Sequence, residues 1–214
     1  KKRFLSITDE GTVAKPEIKI KCDPDNNTVT IEDTGVGMTK DELINNLGKI
    51  AQSGTRAFVQ ALGDGSADVN LIGQFGVGFY SSYLVSNKVE VVTKSMQEGS
   101  SQLRWTSTAE SSYTIEDDDS DPFERSGTRL ILHLKDEAAE YLEFSKIEEL
   151  LKRYSEFIEF PISVWKETTE YEQVPDDEAN KDLPVGEKPK TKTVPVTKEG
   201  YETVNNQKPI WLRP

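Results

Sequence analysis

One cysteine and one histidine in 214 residues leave few side chains for disulfides or transition-metal sites. Cys22 alone can make no intrachain bridge and no cysteine-based zinc site, a usage that suits a reducing compartment. Long apolar runs are missing too: nothing approaches the ~20 residues of a helical membrane span, which excludes membrane insertion by that route. Basic residues are in deficit, 26 Lys and Arg against 38 Asp and Glu, for a net charge of −12. A chain without a basic face has no sequence-independent grip on a phosphodiester backbone, so nucleic acid is excluded as a partner of that kind. A small nucleotide site remains open. Also absent is an initiating methionine: Lys1-Lys2-Arg3 imitates the start of a signal peptide, but polar Ser6, Thr8 and Asp9 follow where an apolar stretch belongs. The start reads as a cut end.

What is present is the composition of a soluble globular domain, 35% apolar, 8% aromatic and 30% charged. Glu17–Cys22 and Thr28–Ile31 alternate around the turn residues Asp23-Pro-Asp-Asn-Asn27, the pattern of a β-hairpin. Thr39 and Glu42 have capping-box spacing and predict a helix over Lys40–Leu47. Gly48 to Gly78 is rich in Gly, Ser and Asp and reads as a long loop, a length that compact domains keep for function or disorder. A second helix opens near Phe79. Period-two runs at Val89–Thr93, Leu103–Thr106, Tyr113–Ile115 and Arg129–Leu134 predict an antiparallel meander. Ser145 and Glu148 suggest a second capping box, leading a helix whose face carries Ile147, Leu150, Leu151, Tyr154 and Ile158 and which ends before Pro161. Ile162–Trp165 reads as a last strand.

Strands and helices not in strict alternation predict an α+β fold: a two-layer sandwich of a largely antiparallel mixed sheet with helices on one face. The domain is expected over 1–165. Residues 166–204 are so charged and so poor in large apolar side chains that a flexible charged linker is expected there. The last ten, 205–214, with Pro209-Ile-Trp-Leu212, read as the start of a following domain.

Four stretches carry candidate chemistry. Asp33-Thr-Gly-Val-Gly37-Met38 puts a carboxylate at a strand end beside two glycines, where backbone can approach a flat ligand, although a short Asp-Thr-Gly can equally be a turn. Gly73-Gln-Phe-Gly76-Val77-Gly78-Phe79-Tyr80 runs three glycines into a helix start, where amides can converge on phosphate; a hinge would look the same. Asn45-Asn46 lies at a helix end, with amides that can reach a sugar or phosphate or merely cap. Ser126-Gly127-Thr128 opens a strand and can set a hydroxyl beside Asp33. His133 alternates out of step with Leu132 and Leu134, so it reads as structural, on the far side of the sheet. The acidic run Glu116–Asp119 reads as a solvated patch, and Trp105 and Trp165 as core or sheet-face aromatics.

In order along the chain, these stretches resemble the motif set of the ATPase superfamily of gyrase, heat-shock protein 90, histidine kinases and mismatch-repair proteins. Asp33–Met38, Ile72–Ser81, Tyr154-Ser-Glu-Phe-Ile158 and Lys208-Pro-Ile-Trp211 are similar to the heat-shock protein 90 family in particular. That resemblance implies an ATP- or ADP-binding domain of an ATP-dependent chaperone, with Mg2+ accompanying the nucleotide. Asp33 would take the adenine amine, supported by Thr128, and Met38 would pack on the ring. Gly37 and Leu47 belong to the same set, and Asn46 would meet ribose or phosphates. Amides of Gly76, Val77, Gly78 and Phe79 would hold the phosphates, and residues 48–78 would form a lid that closes over nucleotide, with Gln52 and Ser53 near the phosphates. Client proteins, co-chaperones and a homodimer through a separate C-terminal domain are the implied partners of a full-length protein.

The resemblance also implies residues that this sequence does not contain: a first strand, a first helix carrying the water-activating glutamate and a magnesium-binding asparagine, and a middle-domain arginine. No catalytic residue and no metal ligand is therefore assigned within the 214 residues. Gln52 stands where most of the family has a lysine, which removes a charge-assisted phosphate contact. Its Gln-Ser-Gly-Thr context resembles the plastid and plant mitochondrial branch, with the cytoplasm as the alternative location. Two other readings stay open: another ATPase or kinase of the superfamily, and a nucleotide-binding module without turnover.

Overall fold

A computed structural model describes residues 16–48, 78–108, 112–155, 158, 160–176 and 191–205. Eight strands form one sheet: β1 Ile18–Asp23, β2 Thr28–Asp33, β3 Ser86–Lys94, β4 Gln102–Ser107, β5 Tyr113–Asp117, β6 Gly127–Leu134, β7 Ile162–Pro175 and β8 Thr191–Thr203, in the order β5-β4-β3-β6-β2-β1-β7-β8. Among the described residues β1–β7 is the one parallel pair, and the other neighbours run antiparallel. The expected α+β sandwich with a largely antiparallel mixed sheet is what the chain forms.

Side chains alternate across a strand, so a continuous register stacks the residues of one face into rows. One row runs Cys22–Val29–Leu132–Val89–Ser107–Tyr113. The next runs Val164–Ile20–Ile31–Leu130–Val91–Trp105–Ile115. These two rows are the floor of the core, with Val89, Trp105 and Val164 fully buried. Against them pack α1 Lys40–Leu43, the 3-10 turn Gly78–Ser81 with α2 Ser82–Val85, and the 3-10 turn Asp136–Leu142 with α3 Phe144–Tyr154. Leu43, Tyr80, Tyr83, Ala138 and Ile147 fill that layer.

Three helix boundaries differ from expectation, one of them the end of α3, which stops at Tyr154, where the Ser155 N–H donates to the Leu151 carbonyl, and so leaves Ile158 outside it. The Thr39 capping box forms as read, with Thr39 Oγ1 accepting from Glu42 N–H at 3.3 Å and Glu42 Oε2 accepting from Thr39 N–H at 2.9 Å. The helix it opens gives way after Leu43 to a π turn over Ile44–Gly48. Paired asparagines are weak α-formers because their side chains compete for the backbone. The Ser145 box is not used: α3 begins at Phe144, Glu143 sits at the cap in extended conformation without a side-chain bond, and Glu148 instead pairs with Lys152 at 2.8 Å.

The other sheet face is polar. His133 lies there, as its phase predicts, with Nε2 2.8 Å from Glu90 Oε1. Glu90 also takes Lys88 at 2.6 Å and Arg104, which bridges on to Asp118 at 3.1 Å. Burial pushes the Glu90 carboxyl up, but hydrogen bonds from Lys88, His133 and Arg104 outweigh it and leave the group below its ordinary range. Asp118 of the acidic run is thus a buried ion-pair partner rather than part of a solvated patch. Trp165 meets Tyr201 edge-on at 5.0 Å and lies under Lys21 Nζ at 4.9 Å.

The linker expectation needs correction over 166–175 and 191–203, which are strand. β7 and β8 pair from Ser163↔Thr203 to Pro175↔Thr191, mostly exposed. Apolar burial is not what orders them. A backbone ladder does so, with Trp165 on Tyr201, Lys166 to Glu202 at 2.9 Å and Lys198 to Glu170 at 2.5 Å across it. Residues 177–190 of that expectation and 206–214 of the following-domain expectation lie outside the described residues. Amide hydrogen exchange tests the ladder: paired amides of Thr191–Thr203 should exchange far more slowly than a random coil, and coil-like rates along the whole span would restore the linker.

Candidate functional site

A third row closes the core face, and it changes character midway: Ile162–Ile18–Asp33–Thr128–Thr93–Leu103. Directly opposed residues of adjacent strands share a face with Cβ atoms ~4.5–5.5 Å apart, so Asp33, Thr128 and Thr93 form a polar strip at the edge of an apolar floor. β2 ends at Asp33, and the chain turns over this strip through Thr34–Met38 into the Thr39 cap.

The turn is held from both sides. Asp33 Oδ1 accepts from Gly35 N–H at 2.7 Å, Thr34 Oγ1 accepts from Glu17 N–H at 3.0 Å, and Ser126 Oγ donates to Gly35 carbonyl at 2.8 Å. A Cβ on Gly35 would stand 2.4 Å from Asp33 Oδ1, so the carboxylate needs glycine beside it. Gly37 has φ +64°, and a Cβ there would lie 1.8 Å from Lys94 carbonyl oxygen. Only a residue without a side chain lets the turn press against the end of β3. Met38 follows, half-buried against the core, with its N–H donated to Thr93 Oγ1 at 3.0 Å. Thr93 Oγ1 in turn donates to Gly127 carbonyl at 2.9 Å and lies 3.2 Å from Thr128 Oγ1.

Asp33, Gly37, Met38 and Thr128 are therefore brought together. Thr93 joins them and was not singled out by sequence: in Val-Val-Thr93-Lys it looks like any β-branched strand residue. Its signal is positional, the last inward residue of β3 facing the first inward residue of β6.

A second group brackets the residues between 48 and 78. Leu47 is buried at the π turn, and its carbonyl accepts from Tyr80 Oη at 2.9 Å. Burial, with Tyr83 adding to it, pushes the Tyr80 phenol up to about 12, so it stays a donor. Phe79 packs edge-on to Tyr80 at 5.2 Å and to Trp105 at 5.7 Å. Asn46 and Gly78 are exposed, on the π turn and at the opening of the 3-10 turn. Gly76, Val77, Gln52 and Ser53 lie outside the described residues.

Among the described residues no group of three or more His, Cys, Asp and Glu could hold a metal ion, and no helix is long and apolar enough to cross a membrane. Acceptors beside a glycine-lined turn and half-buried Met38 suit a flat heterocycle that donates hydrogen bonds.

The family described as "Histidine kinase-, DNA gyrase B-, and HSP90-like ATPase" matches residues 9–140, and that described as "Hsp90 protein" matches residues 140–214. An endoplasmin homolog of Hordeum vulgare is 47% identical over 233 residues, covering 99% of this chain and 28% of that protein. "Heat shock protein 90-5, chloroplastic" of Arabidopsis thaliana is 48% identical over 223 residues, covering 100% and 28%. An endoplasmin homolog of Arabidopsis thaliana is 51% identical over 182 residues, covering 82% and 22%. The chain spans less than a third of the length of these relatives.

Gly37→Ala tests the turn. It should lower the urea unfolding midpoint well beyond the about 1–2 kcal/mol of left-handed strain alone. Gly99→Ala, at φ +78° with nothing within 4 Å of the added carbon, isolates the strain. Equal losses for the two variants would remove the close approach to Lys94 from the account.

Proposed function

The chain belongs to the heat-shock protein 90 family of ATPases, and from that premise we propose that it is the nucleotide-binding part of an ATP-dependent chaperone, with the Asp33–Thr128 pair as its adenine-reading element. The observation that carries this is the polar strip itself: a carboxylate and a hydroxyl directly opposed in register, at the rim of an apolar floor, under a turn whose Gly37 admits no side chain. An ionised carboxylate only accepts hydrogen bonds, so Asp33 is suited to the exocyclic amine of adenine. Half-buried Met38 and buried Leu47 supply apolar surface for the ring.

Asn46, exposed on the π turn, is assigned to ribose or phosphate, and Gly78 and Phe79 to phosphate together with Gly76 and Val77. Gln52 and Ser53 take the position over the phosphates when residues 48–78 close as a lid. Magnesium bound to the phosphates would supply charge neutralisation there. Among the described residues no group of three or more His, Cys, Asp and Glu offers it a ligand set, and its asparagine and the water-activating glutamate are proposed for the longer protein. Hydrolysis, client binding, co-chaperone docking and dimerisation belong to that longer protein as well.

The expected compartment is an organelle, the plastid first, from Gln52-Ser-Gly-Thr55 and from the likeness to a protein named as chloroplastic. A fluorescent fusion of the full-length protein checks this, and diffuse cytosolic signal would overturn it.

Calorimetric titration with Mg-ADP tests the site. Wild type should bind. Asp33→Asn keeps the bond to Gly35 N–H but replaces an acceptor by a donor, and should weaken binding roughly 10- to 150-fold, the range for a charge-assisted bond of about 1.5–3 kcal/mol. No heat for folded wild type, or unchanged affinity in the variant, would sink the assignment.

A further inference from the structure

The adenine-nucleotide reading rests on Asp33 and Thr128, but a hydroxyl can donate or accept, and which it does toward a ligand depends on where its proton already points. The structure settles this for Thr128 through its neighbour. Thr93 is fully buried. Its single hydroxyl meets three partners: Met38 N–H at 3.0 Å, Gly127 carbonyl oxygen at 2.9 Å and Thr128 Oγ1 at 3.2 Å. A backbone N–H can only donate, so Met38 consumes a lone pair of Thr93. A carbonyl can only accept, so Gly127 takes the one Thr93 proton. With that proton spent, the Thr93–Thr128 bond requires Thr128 as its donor. Thr128 therefore presents lone pairs in its remaining directions, opposite Asp33 in the register.

We propose that Thr93 is a positioning residue for purine specificity: by taking the Thr128 proton it holds Thr128 as an acceptor, so that the strip accepts a 6-amino purine and rejects a 6-oxo purine. This rests on the nucleotide reading above and deepens it. Adenine offers amine hydrogens to both acceptors, or to a water between. Hypoxanthine and guanine bring a carbonyl oxygen there, and an acceptor facing the Thr128 lone pairs leaves buried groups unpaired. Without Thr93 as its acceptor, Thr128 can turn its proton toward that oxygen. The other bonds of Thr93, to Met38 N and Gly127 O, hold the turn against β6, and their loss weakens all nucleotides alike. The ratio between nucleotides separates the two effects.

The experiment is calorimetric binding of Mg-ADP and Mg-IDP to the full 214-residue chain as wild type, Thr93→Val and Thr93→Ser, with near-ultraviolet circular dichroism as the check on fold. Wild type should prefer ADP by at least about tenfold. Thr93→Val, which keeps the volume and removes the hydroxyl, should shrink that ratio by about tenfold, whatever happens to the absolute affinities. Thr93→Ser should restore it. If Thr93→Val does not fold, Thr93→Cys, of similar size and weak in hydrogen bonding, carries the same comparison. A wild-type ratio in the folded Val or Cys variant, or loss of the ratio in Thr93→Ser, overturns the proposal while leaving nucleotide binding intact. Folded wild type that binds neither nucleotide overturns the nucleotide reading and Thr93's role with it.

Discussion

Register across β2, β6 and β3 is the constraint from which the site follows. Asp33, Thr128 and Thr93 come from positions 35 to 95 residues apart in the chain, and they meet because each lies opposite the next in a continuous ladder. Side chains alternate with period two, so a slip of one residue in any of these strands would send its polar group to the far face and bring a residue such as Arg129 or Lys94 into the strip. The apolar rows behind it guard against that slip. Val91, Leu130 and Ile31 would be turned outward at the same time, and Glu90 and His133 turned into the core. Core packing and site geometry are therefore one condition, satisfied by a single register.

The helical layer meets the same floor but does a different job. Leu47 and Phe79 stand on either side of the residues between 48 and 78, and the Tyr80 hydroxyl on the Leu47 carbonyl ties those flanks together inside the core. The described residues on both sides of that stretch are thus held together in the core. Fixed ends lower the entropic cost of any ordered arrangement between them. The aromatic cluster of Phe79, Tyr80, Tyr83 and Trp105 packs around this bond, and Trp105 carries it into the sheet through its position opposite Val91.

Much of this was legible in the amino-acid sequence wherever the cause is local. Alternation placed the strands, the Thr39–Glu42 box announced α1, and Asp33 with its two glycines marked the turn. The misses share a different cause. Ser145 has the right neighbour in Glu148, but the chain enters α3 two residues earlier, by a path along which Tyr141, Leu142 and Phe144 pack against the core. Residues 166–175 and 191–203 lack the apolar content to fold alone, yet β1 fixes the start of β7 at Ile162–Val164, and beyond that point β7 and β8 pair with each other. Composition measures what a segment can bury, not what template lies beside it. Thr93 was passed over for a similar reason: a threonine after two valines is unremarkable until the residue across the strand is known.

That threonine also bears on why the strip exists. A sheet built only for stability would close its third row as it builds the second, with residues like Ile31, Leu130 and Val91, because buried hydroxyls and carboxylates lose hydration that internal bonds only balance. Here the polar groups are retained and individually matched: Met38 N–H to Thr93, Thr93 to Gly127 carbonyl, Thr128 to Thr93, Gly35 N–H to Asp33. Two glycines are spent beside them at positions where a side chain would collide. Such an arrangement gains little over apolar packing and is fragile to substitution, so folding alone does not account for it. The proposed function does account for it: a strip of fixed polarity at the rim of an apolar floor would discriminate between flat ligands of similar shape, which an apolar row in the same place could not do.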